Sequence, residues 1–285
     1  MGGWASGICA TLIRSSHTMD PFKAAAVQMV SGPSVEANLA AAEELIAQAK
    51  AQGARLVALP EFFCLFGMRD GDKVAAGESD GDGPIQRFLS DSAARHKVWL
   101  VGGSVPLVSG ESGKVTNTCL VFDASGARVA RYDKIHLFGL DTESEHYHES
   151  TTVAPGSATI AVDSPFGRLA LSICYDLRFP ELYRRLAPVD IIFVPSAFTA
   201  KTGRAHWEIL LRARAIENLA HVIAPAQGGT HPNGRQTHGH SMVIDPWGRV
   251  LDSLPEGPGV VVAEIDPAQR SSLRASLPAL EHRVL

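Results

Sequence analysis

Residues 168–183 read Arg-Leu-Ala-Leu-Ser-Ile-Cys-Tyr-Asp-Leu-Arg-Phe-Pro-Glu-Leu-Tyr. Leu169 to Ile173 is a short apolar, β-prone run that ends on Cys174, and there the pattern switches. Asp176 offers a cap, Pro180 suits the first turn of a helix, and Glu181, Leu182 and Tyr183 continue it. The stretch predicts a strand, a tight elbow and a helix, with a thiol at the elbow. Free backbone N–H groups and the dipole at a helix start favour a thiolate and can hold an oxyanion. Taken alone, a cysteine after an apolar run is a buried structural thiol.

Two other strand ends change that reading. Val57-Ala58-Leu59-Pro60-Glu61-Phe62-Phe63 is a strand that ends on a carboxylate, and Arg131-Tyr132-Asp133-Lys134-Ile135-His136-Leu137-Phe138 sets a lysine among apolar and aromatic residues. Each has a plain alternative: Glu61 as a surface carboxylate, Lys134 as a lysine snorkelling from a strand end. Together, a thiol, a carboxylate and an amine near three strand ends are the groups that nucleophilic amide hydrolysis requires.

Strands and helices alternate around these ends. Strands are expected at 23–30 and 55–59 with an alanine-rich helix at 35–52 between them, then a helix at 84–97 and a strand at 98–104. A hairpin of 115–123 and 127–133 leads into Lys134, and one of 159–162 and 168–173 leads into Cys174. An apolar strand follows at 189–194, then a helix at 203–219 with Arg212, Arg214 and Glu217 on its polar side. Strands at 221–226, 240–245 and 260–265 and a helix at 267–275 close the chain. This order predicts an α/β fold with a mixed sheet. Residues 66–83, rich in Gly and Asp, read as an irregular loop that follows Glu61 closely enough to cover a site and select substrates.

Composition narrows the function classes. The 285 residues are 45% apolar and 20% charged with net charge −4, ordinary for a globular protein. No basic run invites nucleic acid or an anionic membrane, and no apolar stretch approaches the ~20 residues of a membrane span. Four scattered cysteines (Cys9, Cys64, Cys119, Cys174) form no CxxC pair, which argues against a disulfide framework and predicts a cytoplasmic setting. Residues 1–20 read as a disordered extension, without the apolar core of a signal peptide in 1–18. The histidines at 146, 148, 231, 238 and 240 come with no metal-binding motif, so no metal is expected. No glycine pattern for a nucleotide is present either.

Glu61 in LPEFF, Lys134 in YDKIHLF and Cys174 in ICYDLRFPELYR, followed by PSAFT (195–199) and GHSMVIDPWG (239–248), together resemble the nitrilase (carbon–nitrogen hydrolase) superfamily. The likeness runs from about Lys23 to the C-terminus. It implies a four-layer α-β-β-α sandwich over residues 21–285. It also implies a homodimer or higher homo-oligomer built through the helices near 178–187 and 203–219.

The resemblance also assigns roles. Cys174 would attack an amide carbon, and Glu61 would take the thiol proton and later activate water. Lys134, kept protonated, and the backbone N–H of Tyr175 would hold the oxyanion. Glu149 in YHES would orient the lysine, Phe198 and Thr199 would line the pocket, and Arg178 with Glu181 would brace the elbow as an ion pair. No metal or organic cofactor is implied. Arg69-Asp70, AHWEILLRARAIE (205–217) and the terminal EHR are most similar to the deaminated glutathione amidase branch. That branch cleaves a small keto-acid amide, releasing ammonia or an amine, and Arg69 would meet a substrate carboxylate. The rivals are an ω-amidase acting on α-ketoglutaramate, an N-carbamoyl amino acid hydrolase, a true nitrilase, and a non-catalytic interaction protein on the same scaffold.

Overall fold

The computed structural model describes residues 19–141 and 146–284. The expected disordered extension lies outside these residues, apart from Met19 and Asp20. The chain runs β1 (Phe22–Gln28), α1 (Val35–Ala51), β2 (Ala54–Ala58), α2 (Asp72–Ala75), α3 (Pro84–His96), β3 (Trp99–Val101), β4 (Val105–Val108), β5 (Val115–Phe122) and β6 (Arg128–Asp133). It continues through β7 (Gly139–Asp141), β8 (His146–His148), β9 (Ala161–Ser164), β10 (Gly167–Leu171), α4 (Pro180–Leu186), β11 (Ile191–Phe193) and α5 (Ala200–Asn218). The last elements are β12 (His221–Ala224), β13 (Gly228–Thr230), β14 (Gln236–His238), β15 (Ser241–Ile244), β16 (Val250–Leu254), β17 (Gly259–Ile265) and α6 (Pro267–Ser276).

Two sheets form the middle layers. One has the order β17-β1-β2-β3-β5-β4 with β6 beside β5, and the other β16-β15-β12-β11-β10-β9. The apolar run of β1 explains the layering, because both of its faces are buried. Ala24 and Ala26 face the second sheet, in one core with Leu169, Leu171, Ile191 and Phe193. Ala25 and Val27 face outward, in a second core with Leu45 and Ile46 of α1 and Leu89 of α3. On the far side, Leu182 and Tyr183 of α4 and Trp207 and Leu211 of α5 cover the second sheet. The expected α-β-β-α sandwich is therefore the observed one.

Some elements depart from expectation. Residues 66–83 are not irregular throughout, since α2 lies within them. Asp72 organises this segment by accepting from the backbone N–H groups of Met68 (2.8 Å) and Arg69 (3.0 Å). Strand β16 was not expected, because Val250-Leu251-Asp252-Ser253-Leu254 lies on a sheet edge with little burial and so carries a weak apolar signal. On α5, Arg214 is not on a polar face but only 4% exposed. Its guanidinium donates twice to the Leu177 carbonyl (3.1 and 2.7 Å) and pairs with Glu217 at 2.9 Å.

Candidate active site

Three strand ends deliver the chemistry. After β2, Leu59 N–H still donates to Val101 O at 2.9 Å, and the chain then turns through Pro60 and Glu61. Phe62, the next residue, sits in left-handed backbone at φ 57°. After β6, Lys134 is fixed through its own peptide, whose N–H donates to Asn117 O (2.9 Å) and whose carbonyl accepts from Gly156 N (2.8 Å). After β10, Cys174 stands at φ 49° and opens a 3-10 turn, Cys174–Arg178, before α4 begins at Pro180. Left-handed backbone costs a non-glycine residue about 1–3 kcal/mol, which the packing around the elbow has to overcome. Asp176 caps this turn rather than α4, accepting from Ile173 N at 2.8 Å.

The side chains converge. Lys134 Nζ donates to Glu61 Oε1 and to Glu149 Oε2, each at 2.8 Å, with both pairs almost wholly buried. Asn117 Nδ2 bridges the same two carboxylates, at 2.9 Å from Glu61 Oε1 and 3.0 Å from Glu149 Oε1. Glu61 Oε2 accepts from Ala197 N at 3.0 Å, and Glu149 Oε2 from Phe138 N at 2.8 Å. Cys174 closes the group, with its Sγ against the Glu61 carboxylate and the Ala197 N–H.

Charge is divided unevenly between the two carboxylates. Burial pushes Glu61 above the ordinary range; Lys134 opposes this and the charge of Glu149 reinforces it. Burial would also raise Glu149, but Lys134 and the hydrogen bonds from Phe138 and Asn117 hold it below its ordinary value. Burial lowers the proton affinity of Lys134, yet Glu149 and Glu61 hold its pKa well above normal. Burial, and next Glu61, push the Cys174 thiol well above its usual value, against Lys134 and the Ala197 N–H. Burial and Glu61 thus act against the thiolate that the elbow's N–H groups favour, in line with the role of Glu61 as the base that takes the thiol proton. Burial first, and the Glu61 charge second, outweigh Lys134 and the Ala197 N–H, so the thiol keeps its proton until a base removes it.

A cavity opens from this cluster, lined by Glu61, Lys134, Glu149 and Cys174 at its buried end and by Asp70, Lys73 and Arg235 toward solvent, with Phe62, Phe66, Phe138, Tyr147 and Thr199 along the walls. Tyr175 and Phe198 line a smaller adjoining pocket that shares Cys174, Ala197 and Thr199 with the first. The Tyr175 peptide N–H is in the first turn after the elbow, where no intrahelical acceptor is available to it. Two expectations fail on geometry. Arg69 has a side chain 87% exposed, lies 3.7 Å from Asp72, and lines not this cavity but an outer pocket that shares Phe62, Phe66, Asp70, Lys73 and Arg235 with it. Arg178 forms no ion pair with Glu181; it lies 3.2 Å from His206 Nδ1 and over the rings of Tyr175 and Phe198.

Residues 23–275 match a family described as carbon-nitrogen hydrolase. The chain belongs to that family. A deaminated glutathione amidase of Synechocystis is 47% identical over 272 residues, spanning 93% of this chain and 99% of its own. One from Yersinia enterocolitica is 42% identical, spanning 90% and 91%. The crystal structure of Saccharomyces cerevisiae Nit3, a member of branch 10 of the nitrilase superfamily, superposes with a TM-score of 0.83 at 32% identity, covering 92% of this chain and 96% of that one.

In this carbon–nitrogen hydrolase several site residues escape a sequence reading. Asn117 lies mid-strand in Val115-Thr116-Asn117-Thr118-Cys119, and only the register of β5 against β6 aims its amide at the carboxylates. Gln227 donates to the Glu61 carbonyl (3.1 Å) and to Ser31 Oγ (2.8 Å), fixing the turn that carries the base. The signal for both is a lone amide in an apolar run, which is too common to single out. Of the histidines, His146 and His148 meet Asp141 near the surface, and His231 is buried between Ser31 O and Thr237 Oγ1. Among the described residues no group of three or more His, Cys, Asp or Glu is placed to hold a metal ion.

Proposed function

We propose that this chain is an amidase that hydrolyses the keto-acid amide of deaminated glutathione. The observation that carries the reading is the buried Glu61–Lys134–Glu149 cluster set against Cys174 on its elbow. The substrate comes from the two relatives named as deaminated glutathione amidases over nearly their full lengths.

In this mechanism Glu61, with its raised proton affinity, takes the Cys174 proton as Sγ attacks the amide carbon. The oxyanion that forms is held by Lys134 Nζ and the Tyr175 N–H. Collapse breaks the C–N bond, and the proton on Glu61 goes to the leaving amine. Glu61 then takes a proton from water, whose oxygen attacks the thioester; the acid leaves and the thiol is restored. Glu149 holds Lys134 in place and keeps it charged throughout.

The test is product analysis with deaminated glutathione, scoring 2-oxoglutarate and cysteinylglycine in equal amounts, beside Cys174→Ala. Faster turnover of α-ketoglutaramate moves the assignment to an ω-amidase with the same mechanism, and products that persist in Cys174→Ala overturn the mechanism itself.

The chain is further proposed to form a homodimer or larger homo-oligomer through α5. Ile209 and Ile216 are 70% and 47% exposed there, and Ile216 adjoins the turn bearing exposed Trp247. Sedimentation of Ile209→Asp checks this, a monomer being the expected result. A cytoplasmic location is proposed from the free thiols at Cys64, Cys119 and Cys174.

A further inference from the structure

We infer that Lys73, with Arg235 beside it, forms the subsite of the catalytic cavity that holds the carboxylate of an anionic amide substrate. The inference rests on the amidase reading and names the group by which the substrate is recognised and oriented.

Charge balance along the cavity is the first argument. At the buried end two carboxylates, Glu61 and Glu149, face one ammonium, Lys134. With the thiol protonated and both carboxylates ionised, that end carries one net negative charge and repels an anion. Farther from Cys174 the lining holds two cations, Lys73 and Arg235, against one carboxylate, Asp70, which leaves one net positive charge. Glu149 is the strongest single charge acting on Lys73, ahead of Asp70. An amide with a carboxylate at one end is therefore drawn in with the carboxylate outward and the amide toward Cys174.

The second argument separates the two cations. Arg235 is already engaged, with its guanidinium 3.1 Å from Asp70 and stacked over the Tyr147 ring at 4.9 Å. Lys73 has its ammonium 5.6 Å from the Phe62 ring centre and makes no hydrogen bond or ion pair among the described residues. Burial, more than any other cause, lowers its proton affinity. A carboxylate arriving there gains a charge-assisted hydrogen bond to a donor already partly stripped of water.

The third argument is the build of the segment. Asp72 binds the N–H groups of Met68 and Arg69, and the single turn of α2 then sends Lys73 into the cavity while Arg69 stays in solvent. The cation that sequence proximity suggests and the one that reaches the cavity are different residues on the same short loop.

The test is calorimetric binding of 2-oxoglutarate, the keto acid that the proposed reaction releases, to the full chain and to Lys73→Met and Lys73→Arg. Thermal unfolding checks that each variant is folded. The expected result is at least a tenfold loss of affinity in Lys73→Met and substantial recovery in Lys73→Arg. In turnover of deaminated glutathione, Lys73→Met is expected to raise KM about tenfold and to change kcat less than threefold. Unchanged 2-oxoglutarate affinity in folded Lys73→Met overturns the subsite. Where the second carboxylate of the product, facing Glu61 and Glu149, prevents binding to the unmodified chain, an unchanged KM for deaminated glutathione in Lys73→Met overturns it. If the unmodified chain binds 2-oxoglutarate in a Lys73-dependent way yet hydrolyses no amide, the amidase reading fails and the subsite stands. If it hydrolyses deaminated glutathione with the same KM in Lys73→Met, the amidase reading stands and the subsite fails.

Discussion

The Tyr132 hydroxyl donates to Asp176 Oδ2 at 2.7 Å, which ties the strand that delivers Lys134 to the turn that begins with Cys174. Asp176 is fully buried and also accepts from Ile173 N (2.8 Å) and His136 N (3.1 Å), with His136 Nδ1 at 2.7 Å. One carboxylate thus sets the lysine and cysteine segments at a fixed distance. Tyr132→Phe removes one of its donors and is expected to cost about 1–2 kcal/mol of stability. The shifted geometry is expected to lower kcat roughly tenfold or more with little change in KM. Denaturant titration and steady-state kinetics on the same preparation check both effects.

Glu61→Gln keeps the shape and the Lys134 contact but cannot accept the thiol proton. Loss of about 10²–10⁴-fold in kcat is expected. The intact enzyme is expected to lose activity as pH falls through the raised Glu61 value, so its acid limb lies above the ordinary glutamate range. Lys134 is held protonated well above its usual value, so its titration does not limit the neutral-to-alkaline side. A pH–rate profile of kcat/KM reads both limbs, and an acid limb at or below pH 4 rules out a raised Glu61.

Asn117→Asp replaces the amide that bridges Glu61 and Glu149 with a third carboxylate. Added negative charge raises the proton affinity of Glu61 further. The acid limb of the rate profile is expected to move to higher pH by about one unit. A limb that stays put, or moves down, shows that Asn117 does not act on the base.

Arg69→Ala is expected to leave kcat and KM within about twofold, because the side chain is in solvent beside Asp72. A large rise in KM returns Arg69 to the site.

His221 is buried with both ring nitrogens lacking partners among the described residues, and burial, aided by the Arg270 charge, pushes its pKa down to about 3. The unfolded chain binds the proton first, near the ordinary histidine value of about 6.5. Stability from this group is therefore complete above that pH and is lost as pH falls toward 3, on the order of 4 kcal/mol in all. His221→Phe leaves no polar atom to protonate, so its acid-unfolding midpoint is expected at lower pH than that of the unmodified chain. Circular dichroism against pH is the measurement.

What the sequence discloses follows the strength of local pattern. Glu61, Lys134 and Cys174 each end or follow an apolar strand, and an ionisable residue at such a boundary stands out. The α/β class follows from the alternation of strands and helices, whereas the four-layer sandwich is legible only through the resemblance to carbon–nitrogen hydrolases. Residues whose role depends on register do not stand out, and Asn117 is one. Arg214 has the spacing of a polar helical face, yet the open carbonyl of Leu177 draws it inside. Lys73 and Arg69 are four residues apart in one polar loop, and only the hydrogen bonds of Asp72 decide which of them faces the cavity.

The pairing of β1 with β17, Phe22 opposite Ile265 through Gln28 opposite Gly259, joins nearly the first described residues to nearly the last. During synthesis β1 emerges early, while its antiparallel neighbour is still to be translated. Its partner β2 arrives soon after, but the flank of β1 that β17 will occupy stays unpaired until residues 259–265 have been translated. The central layer thus waits on a contact of very high sequence separation, which predicts slow closure and an exposed strand edge on nascent or C-terminally truncated chains. Translation stalled or stopped before residue 259 is expected to give an aggregation-prone product, although all three candidate catalytic residues are already present in it.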